Sequence, residues 1–106
     1  MSVHAVPVTL ADGKEHLLRY DFNALVQIEE RLGISLDALQ DKLTGPGRKL
    51  GTIRDLLWAG LLHEDASVTP ESVSALIEPA ALVPVTEAIA HALMASLSGE
   101  GESKNA

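Results

Sequence analysis

Residues 53–63 read IRDLLWAGLLH, and this segment decides how the rest of the chain must be arranged. At the helical spacing of about 100° per residue, apolar side chains lie on almost every side of it. Arg54, Asp55 and His63 are the only residues in it that are expected to face water. A helix that is apolar nearly all round is buried between other elements, or between its own domain and a partner. The segment is therefore predicted to be the central helix of the fold.

The two flanks of this central helix need different neighbours. Ile53, Leu57 and Gly60 fall on one flank, and Trp58 and Leu62 on the other. One flank is covered either by the rest of the domain or by a second protein. Burial inside the domain is the more common arrangement for large apolar side chains, but both alternatives remain open at this point. Trp58 and Leu62 are therefore candidate partner-binding residues.

The composition restricts the class of protein. With 106 residues the chain is expected to form one domain with one modest core. Aromatic residues make up only 3%, so the core must be built from Leu, Val, Ile and Ala, which suits helix packing. There is no cysteine, which excludes disulfides and thiolate metal sites. The net charge of −7 argues against nucleic acid as a partner, since binding to phosphates requires clustered Lys and Arg.

The N-terminal sequence MSVHAVPVTLADG has no basic region followed by an apolar run, so no signal peptide is predicted. The longest uninterrupted apolar run, residues 56–62, is far shorter than the ~20 residues that cross a bilayer. The chain is therefore expected to remain in the cytoplasm and to have no membrane partner.

The first twenty residues predict a β-hairpin over residues 3–20. Residues 11–14, ADGK, have the composition of a turn between the two strands. Pro7 has no N–H to donate, so its strand is predicted to lie at an edge. The inward face of this strand is predicted to consist of Val6, Val8 and Leu10.

A first helix is predicted over Phe22–Leu32, with Asp21 as N-cap and Gly33 just after its end. Ser35 is expected to cap a short helix over residues 36–43, and residues 44–49 to form an open loop. The helical repeat places Phe22 with the inward residues Leu25, Val26, Ile28 and Leu32, whereas Glu29, Glu30 and Arg31 are expected to point outward.

Thr52 and Asp55 have the spacing of a capping box and predict the start of the central helix. Thr69, followed by Pro70 and Glu71, predicts another helix start, and Pro79 is expected to end that helix. Pro84 is expected to begin the last helix, which runs to about residue 97. Its inward face is predicted to contain Val85, Ile89, Ala92, Leu93 and Ser96, and its outer face Glu87, His91 and Met94.

The resulting fold class is mostly α (α+β): an N-terminal β-hairpin packed on a small bundle of about five helices. Residues 1–98 form the single domain, and the polar residues 99–106 are predicted to be a disordered tail.

None of the polar clusters predicts a catalytic, cofactor or metal site. In the loop GPGRKLGT, residues 45–52, the Lys precedes the last Gly, whereas a phosphate loop needs it afterwards. Three consecutive residues, His63, Glu64 and Asp65, do not converge on one ion without a special loop, so His63 is interpreted as a helix-terminal residue facing the helix dipole. Glu29 and Glu30 diverge on a helix and cannot face each other. Met94, a soft contact residue on an outer face, is a third candidate for partner binding.

The order of segments over about residues 6–97 resembles a known family. The segments that carry the resemblance are YDFNAL (residues 20–25), Glu29 and RDLLWAGL (residues 54–61). The chain is similar to the small tail proteins of tailed phages and gene transfer agents that are grouped with the tail assembly chaperones. The resemblance implies a chaperone of the host bacterial cytoplasm that binds and solubilises the tape measure protein before the tail tube forms. Tail tube subunits and a second copy of the chain are further candidate partners.

Three functions remain open from the sequence: an assembly chaperone, a structural tail component such as a tube or terminator subunit, and an unrelated small enzyme or regulator. Some relatives carry a tail tube label. A tube subunit needs enough strands to form a β-sandwich, and this chain predicts one hairpin beside helices. The chaperone interpretation is therefore preferred, and no enzymatic activity is expected.

Overall fold

The computed structural model describes residues 5–35, 38–39, 41 and 49–98. These residues form a two-stranded antiparallel hairpin, four α-helices and one 3-10 turn, which confirms the predicted class. In chain order the elements are β1 (Ala5–Thr9), β2 (Glu15–Arg19), α1 (Phe22–Leu32), α2 (Leu50–Leu61), α3 (Pro70–Ser74), the 3-10 turn (Pro79–Ala81) and α4 (Leu82–Ser98).

Three predicted segments lie largely outside the described residues: the short helix over 36–43, the loop over 44–49 and the tail over 99–106. Of these, only residues 38, 39, 41 and 49 are described. Residues 38, 39 and 41 are helical, and Leu39 is buried in the core.

The hairpin has the predicted position in the chain, and its predicted inner face packs on the core. Pro7 lies opposite Leu17, and Val6 lies opposite Leu18. Gly13 takes the left-handed conformation (φ +80°) that the turn requires. Of the three residues predicted to face inward, Val8 and Leu10 are buried and Val6 packs against the core at its edge.

Helix α1 begins and ends where the sequence predicts. The Asp21 carboxylate accepts a hydrogen bond from the Ala24 N–H (2.9 Å), and Gly33 (φ +68°) closes the helix by donating its N–H to the Glu29 carbonyl (2.9 Å). The inward placement of Phe22 is wrong, because its side chain is 81% exposed. A helical side chain leans toward the N-terminus, so the first residue of a helix projects beyond the helix end.

Helix α2 is the central helix, as predicted, and it contacts α1, β2, α3 and α4. Its predicted capping box is wrong. The helix begins at Leu50, and its N-cap residue, the described Lys49, makes no side-chain hydrogen bond to the first turn. Asp55 is not a cap and does not face water: it is buried, and its carboxylate binds Arg54 and Arg31.

The contact of α2 with β2 is close because residue 60 is a glycine. A Cβ at Gly60 would lie 2.9 Å from two atoms of Tyr20, Cζ and the hydroxyl oxygen, and 3.0 Å from a Leu18 methyl group. The Tyr20 hydroxyl donates a hydrogen bond of 2.6 Å to the Leu56 carbonyl. Tyr20 therefore fills the space between strand and helix and has its buried polar atom satisfied.

Helix α3 has the predicted start. Thr69 and Ser72 form a capping box in which each side chain binds the other residue's backbone N–H. The predicted end at Pro79 is wrong, because the helix stops at Ser74. After Ser74 the Leu76 N–H binds the Val73 carbonyl (2.8 Å) in a tighter turn, and the Leu76 carbonyl accepts a hydrogen bond of 2.9 Å from the Ala11 N–H in the hairpin turn.

Helix α4 begins two residues before the predicted Pro84, after the 3-10 turn at Pro79–Ala81. Proline is tolerated there because the first-turn N–H groups have no partner within a helix. The predicted faces are confirmed. Val85, Ile89, Ala92 and Leu93 are buried against the hairpin and α2, and Glu87, His91 and Met94 are exposed.

The segment Pro79–Leu97 is long and apolar enough to cross a membrane, with a mean hydropathy of 1.5 over its best window. The core helices of water-soluble proteins share this property, and one side of α4 forms part of the core. The sequence prediction missed the segment because it considered only uninterrupted apolar runs.

Candidate binding surfaces

Trp58, the first candidate partner-binding residue, is half-buried within its own chain. Its Nε1–H donates a hydrogen bond of 2.9 Å to the Val68 carbonyl. The Arg31 guanidinium lies over the indole, 5.7 Å from the ring centroid. Arg31 is exposed, as predicted, and its side chain also binds the Asp55 carboxylate of α2 (3.2 Å). One face of the indole is thus covered by a cation of the same chain.

Leu62, the second candidate, lies beside Trp58 in a small cleft of about 290 Å³ between the start of α1 and the end of α2. The cleft is mainly polar in character. Its lining consists of Asp21, Asn23, Gln27, Trp58, Leu62, His63 and Ala66.

Met94, the third candidate, is 51% exposed on α4 and does not line the cleft that contains Trp58 and Leu62. The structure therefore brings two of the three predicted residues together and places the third on a different element. Nearby on α4, Leu97 is also exposed.

A second groove, of about 270 Å³, is more apolar. It lies between the start of α2, the end of α3 and the start of α4. The sequence analysis did not identify it, because its residues come from three segments whose helix boundaries were predicted incorrectly. A usable signal was the presence of Leu50 and Leu82, two large apolar residues, at helix starts. The groove is lined by Leu50, Gly51, Ile53, Arg54, Ser74, Ile77, Pro79 and Leu82.

Polar groups at the end of α2 join it to the hairpin. Both ring nitrogens of His16 lie 2.9 Å from a carboxylate oxygen, Nδ1 from Glu64 and Nε2 from Asp12. Glu64 also accepts the Leu17 N–H (3.1 Å), and His63 Nε2 lies 2.6 Å from the Leu17 carbonyl. Side chains from the end of α2 thus occupy the free edge of β2. His63 therefore contacts the backbone of the hairpin, whereas the sequence predicted only that it faces the helix dipole.

These contacts change the acid–base behaviour of the groups involved. Partial burial acts to lower the pKa of His16, but its hydrogen bonds to Glu64 and Asp12 outweigh that effect, and the pKa is raised. Burial acts to raise the pKa of Glu64, but hydrogen bonds from His16 and the Leu17 N–H lower it overall. The Lys14 N–H and then His16 lower the pKa of Asp12. The histidine and its two carboxylates therefore favour the charged forms.

The cluster is not arranged as a metal site. His63 binds the Leu17 carbonyl, Glu64 binds His16, and Asp65 accepts hydrogen bonds from Ser67, so the three consecutive residues face different partners. Within residues 5–35 and 49–98, no group of three or more His, Cys, Asp or Glu side chains is placed to hold a metal ion.

The sequence matches the model of a known protein family. A family model described as phage tail tube protein, GTA-gp10, matches residues 7–99, a range that begins within β1 and includes the rest of the hairpin and the four described helices. The chain belongs to the GTA-gp10 family of phage tail tube proteins. This confirms the resemblance to phage and gene transfer agent tail proteins. Searches of curated proteins and of solved structures found no significant match.

The residues that carry the resemblance to the GTA-gp10 family build the fold. Asp21 caps α1, Tyr20 binds the Leu56 carbonyl, and Gly60 makes room for Tyr20. Each acts within the chain, so the resemblance reflects a shared scaffold.

Proposed function

We propose that this GTA-gp10 family protein is a tail assembly chaperone that binds and solubilises the tape measure protein. The main support is the strand content. A tube subunit needs enough strands to form a sandwich and to close an inner ring. Residues 5–35 and 49–98 contain two strands, both in one hairpin, and the remaining elements are helices.

The exposed apolar side chains are a second support. Phe22, Leu50, Val83 and Met94 are all more than half exposed. Large apolar side chains that are exposed to water gain free energy when a partner covers them. A long helical protein with apolar stripes needs temporary cover until the tube encloses it, and the net charge of −7 would keep such a complex soluble.

The proposed role is one of binding, without catalysis, in the cytoplasm of the host bacterium. The tape measure protein is the main partner. Tail tube subunits and a second copy of the chain are further partners of the same proposal, and nucleic acid and membranes are not included.

Co-expression tests the proposal. The tape measure protein from the same gene cluster is produced with and without this chain, and its soluble fraction is measured. We expect the tape measure protein to aggregate alone, and to become soluble and co-purify when this chain is present. Equal solubility in both cases, without co-purification, would contradict the chaperone role.

The description of the family favours a second candidate, a structural component of the tail. The two candidates differ in the composition of purified particles, which mass spectrometry measures. A chaperone is absent from finished particles, whereas a tube or terminator subunit is present in the fixed ratio that closed rings require.

A further inference from the structure

The outer edge of strand β2 is closed at its centre by two side chains. Leu17, the middle one of the five residues of β2, donates its N–H to the Glu64 carboxylate (3.1 Å). Its carbonyl accepts a hydrogen bond of 2.6 Å from His63 Nε2. Both backbone groups of Leu17 therefore point away from β1. They are the donor and the acceptor that a further strand would bind at this point of the sheet.

The outer edge of strand β1 is closed at the same level by a different means. Pro7, the middle residue of β1, lies directly opposite Leu17. Opposite residues of an antiparallel pair either bond to each other or both point outward, so the backbone of Pro7 also faces the outer edge. Proline has no N–H to donate to another strand. The two residues that remain on either side of each centre are fewer than the roughly three of the shortest usual strands.

If its edge were open, β2 would be complementary to β2 of a second copy of the chain. In an antiparallel pair centred on Leu17, the two Leu17 residues lie opposite each other and exchange both backbone hydrogen bonds. Glu15 then lies opposite Arg19 of the second copy, and the same contact occurs twice by symmetry. Glu15, Leu17 and Arg19 share one face of the strand, because side chains alternate along it. Opposite charges on facing strands attract each other.

These two charged residues have no competing partners in the single chain. The ion pairs found within residues 5–35 and 49–98 involve neither Glu15 nor Arg19. Glu15 is exposed. Arg19 is half-buried, and its Nε has no hydrogen-bond partner among the described residues. Pairing of two β2 strands would therefore join charges that the described part of the single chain leaves unpaired.

We propose that the outer edge of β2 is a self-pairing site that Glu64 and His63 keep closed. The occupant that they exclude is β2 of a second copy, antiparallel and related by a twofold axis at Leu17. Pairing would join the two-stranded hairpins of two chains into one sheet. Unprotected strand edges associate in this way, so the contact is autoinhibitory and protects the chain against edge-to-edge association. The inference is independent of the tape measure protein.

Opening the edge tests the inference. The double variant with His63→Ala and Glu64→Ala removes both hydrogen bonds to Leu17, and sedimentation velocity at several protein concentrations measures self-association. We expect the dimer of this variant to have a dissociation constant at least about tenfold below that of any wild-type dimer, since the edge no longer has to be uncovered. The matched control combines Glu87→Ala with His91→Ala. It removes the same residue types from the exposed side of α4 and should leave self-association unchanged.

A change of charge identifies the strands that pair. In the open variant, Glu15→Lys places a positive charge opposite Arg19 of the second copy at two symmetric positions. The dimer should then weaken by about tenfold. Glu30→Lys makes the same change of charge on the exposed side of α1 and should not weaken it. A less negative chain repels its copies less, so weakening by Glu15→Lys alone requires a contact with a positive group.

A disulfide locates the centre of the contact. The chain has no cysteine, so Leu17→Cys introduces a single thiol at an exposed position. Opposite residues that bond to each other in an antiparallel pair have Cα atoms about 5.5 Å apart, which a disulfide can bridge. Leu17→Cys should therefore oxidise to a covalent dimer several times faster in the open variant than with Glu64 and His63 present. Glu29→Cys, on the exposed side of α1, should show no such acceleration.

The inference is supported if the open variant forms a dimer that Glu15→Lys weakens and Leu17→Cys captures. It is overturned if the open variant keeps the circular dichroism spectrum of wild type and self-associates no more strongly, or if Glu15→Lys and Glu30→Lys have equal effects. If the double variant does not fold, Glu64→Ala alone frees the Leu17 N–H and keeps the bond from His63. Covalent dimerisation through Leu17→Cys that is no faster with Glu64→Ala than without it would then overturn the inference.

Discussion

At the scale of single residues, the contact between Tyr20 and Gly60 shows why position 60 requires a glycine. The tyrosine ring lies where a side chain at position 60 would begin. Its hydroxyl donates a hydrogen bond to the Leu56 carbonyl, one turn before Gly60 in α2. Burial raises the pKa of Tyr20, so the neutral donor form is maintained. Strand and helix thus approach closely without leaving a buried polar group unsatisfied.

The variant Gly60→Ala tests this contact. The added methyl group would press on Tyr20 and Leu18, and overpacking of this kind costs about 1–3 kcal/mol. The higher helix propensity of Ala offsets up to ~1 kcal/mol of this destabilisation. We therefore expect a net decrease of about 1–2 kcal/mol in the free energy of unfolding, measured by urea denaturation.

The matched control is Gly51→Ala in the same helix. Among the described residues, a Cβ at Gly51 meets only the Arg54 guanidinium, at 3.9 Å, which is an ordinary contact distance. This variant should be stabilised by about 0.5–1 kcal/mol. Equal effects of the two substitutions would show that the Tyr20 contact does not restrict residue 60.

The cation above the indole gives a second prediction, which uses the single tryptophan as a probe. Replacing Arg31 by Ala uncovers one face of Trp58, so its fluorescence emission should shift to longer wavelength. Glu30→Ala, at the exposed neighbouring position, should leave the emission unchanged. An unchanged spectrum in Arg31→Ala would mean that the guanidinium does not cover the ring in solution.

At the scale of elements, the hairpin depends on contacts with the helices. A two-stranded sheet alone is marginal in water. This one packs on α2 and α4 through its buried face, and its β2 edge is bound by Glu64 and His63 at the end of α2. The polar cluster therefore supports the position of the hairpin, and its state depends on pH.

The pH dependence follows from His16. Its pKa is higher in the folded chain than the ordinary value of about 6.5, so its ion pairs contribute fully below that value. The contribution is lost as pH rises through the folded pKa. Asp12 and Glu64, whose pKa values are lowered, remain ionised through this range. From about pH 6 to about pH 8.5, wild type should lose roughly 0.5–1 kcal/mol of unfolding free energy, the range of partly exposed ion pairs.

Urea denaturation at the two pH values measures this loss. His16→Gln should remove most of the pH dependence, whereas His91→Gln, on the exposed side of α4, should retain it. A pH dependence in His16→Gln equal to that of wild type would contradict the assignment to His16.

At the scale of the whole molecule, the net charge of −7 should govern how quickly partners arrive. Electrostatic attraction raises the association rate of oppositely charged partners and is screened by salt. For a basic partner such as poly-lysine, we expect the association rate to fall as the salt concentration rises, while the dissociation rate changes less. Stopped-flow measurements at several salt concentrations check this, and an association rate independent of salt would argue against charge complementarity.

The sequence by itself determined the features that depend on neighbouring residues. The hairpin, its turn, the Asp21 and Thr69 caps, the Gly33 end and the faces of α4 follow from local spacing and backbone preference, and the structure confirms them. The central position of α2 was also predictable, because a helix with apolar residues on nearly every side must be surrounded.

Only the tertiary structure decided the features that depend on residues far apart in the chain. The ion pair of Asp55 with Arg31, the hydrogen bond from the Ala11 N–H to the Leu76 carbonyl, and the polar cluster at His16 all join separate segments. The apolar groove likewise exists only because three helix ends meet. Local spacing carries no information about such contacts, since their free energy is gained only when packing brings the segments together.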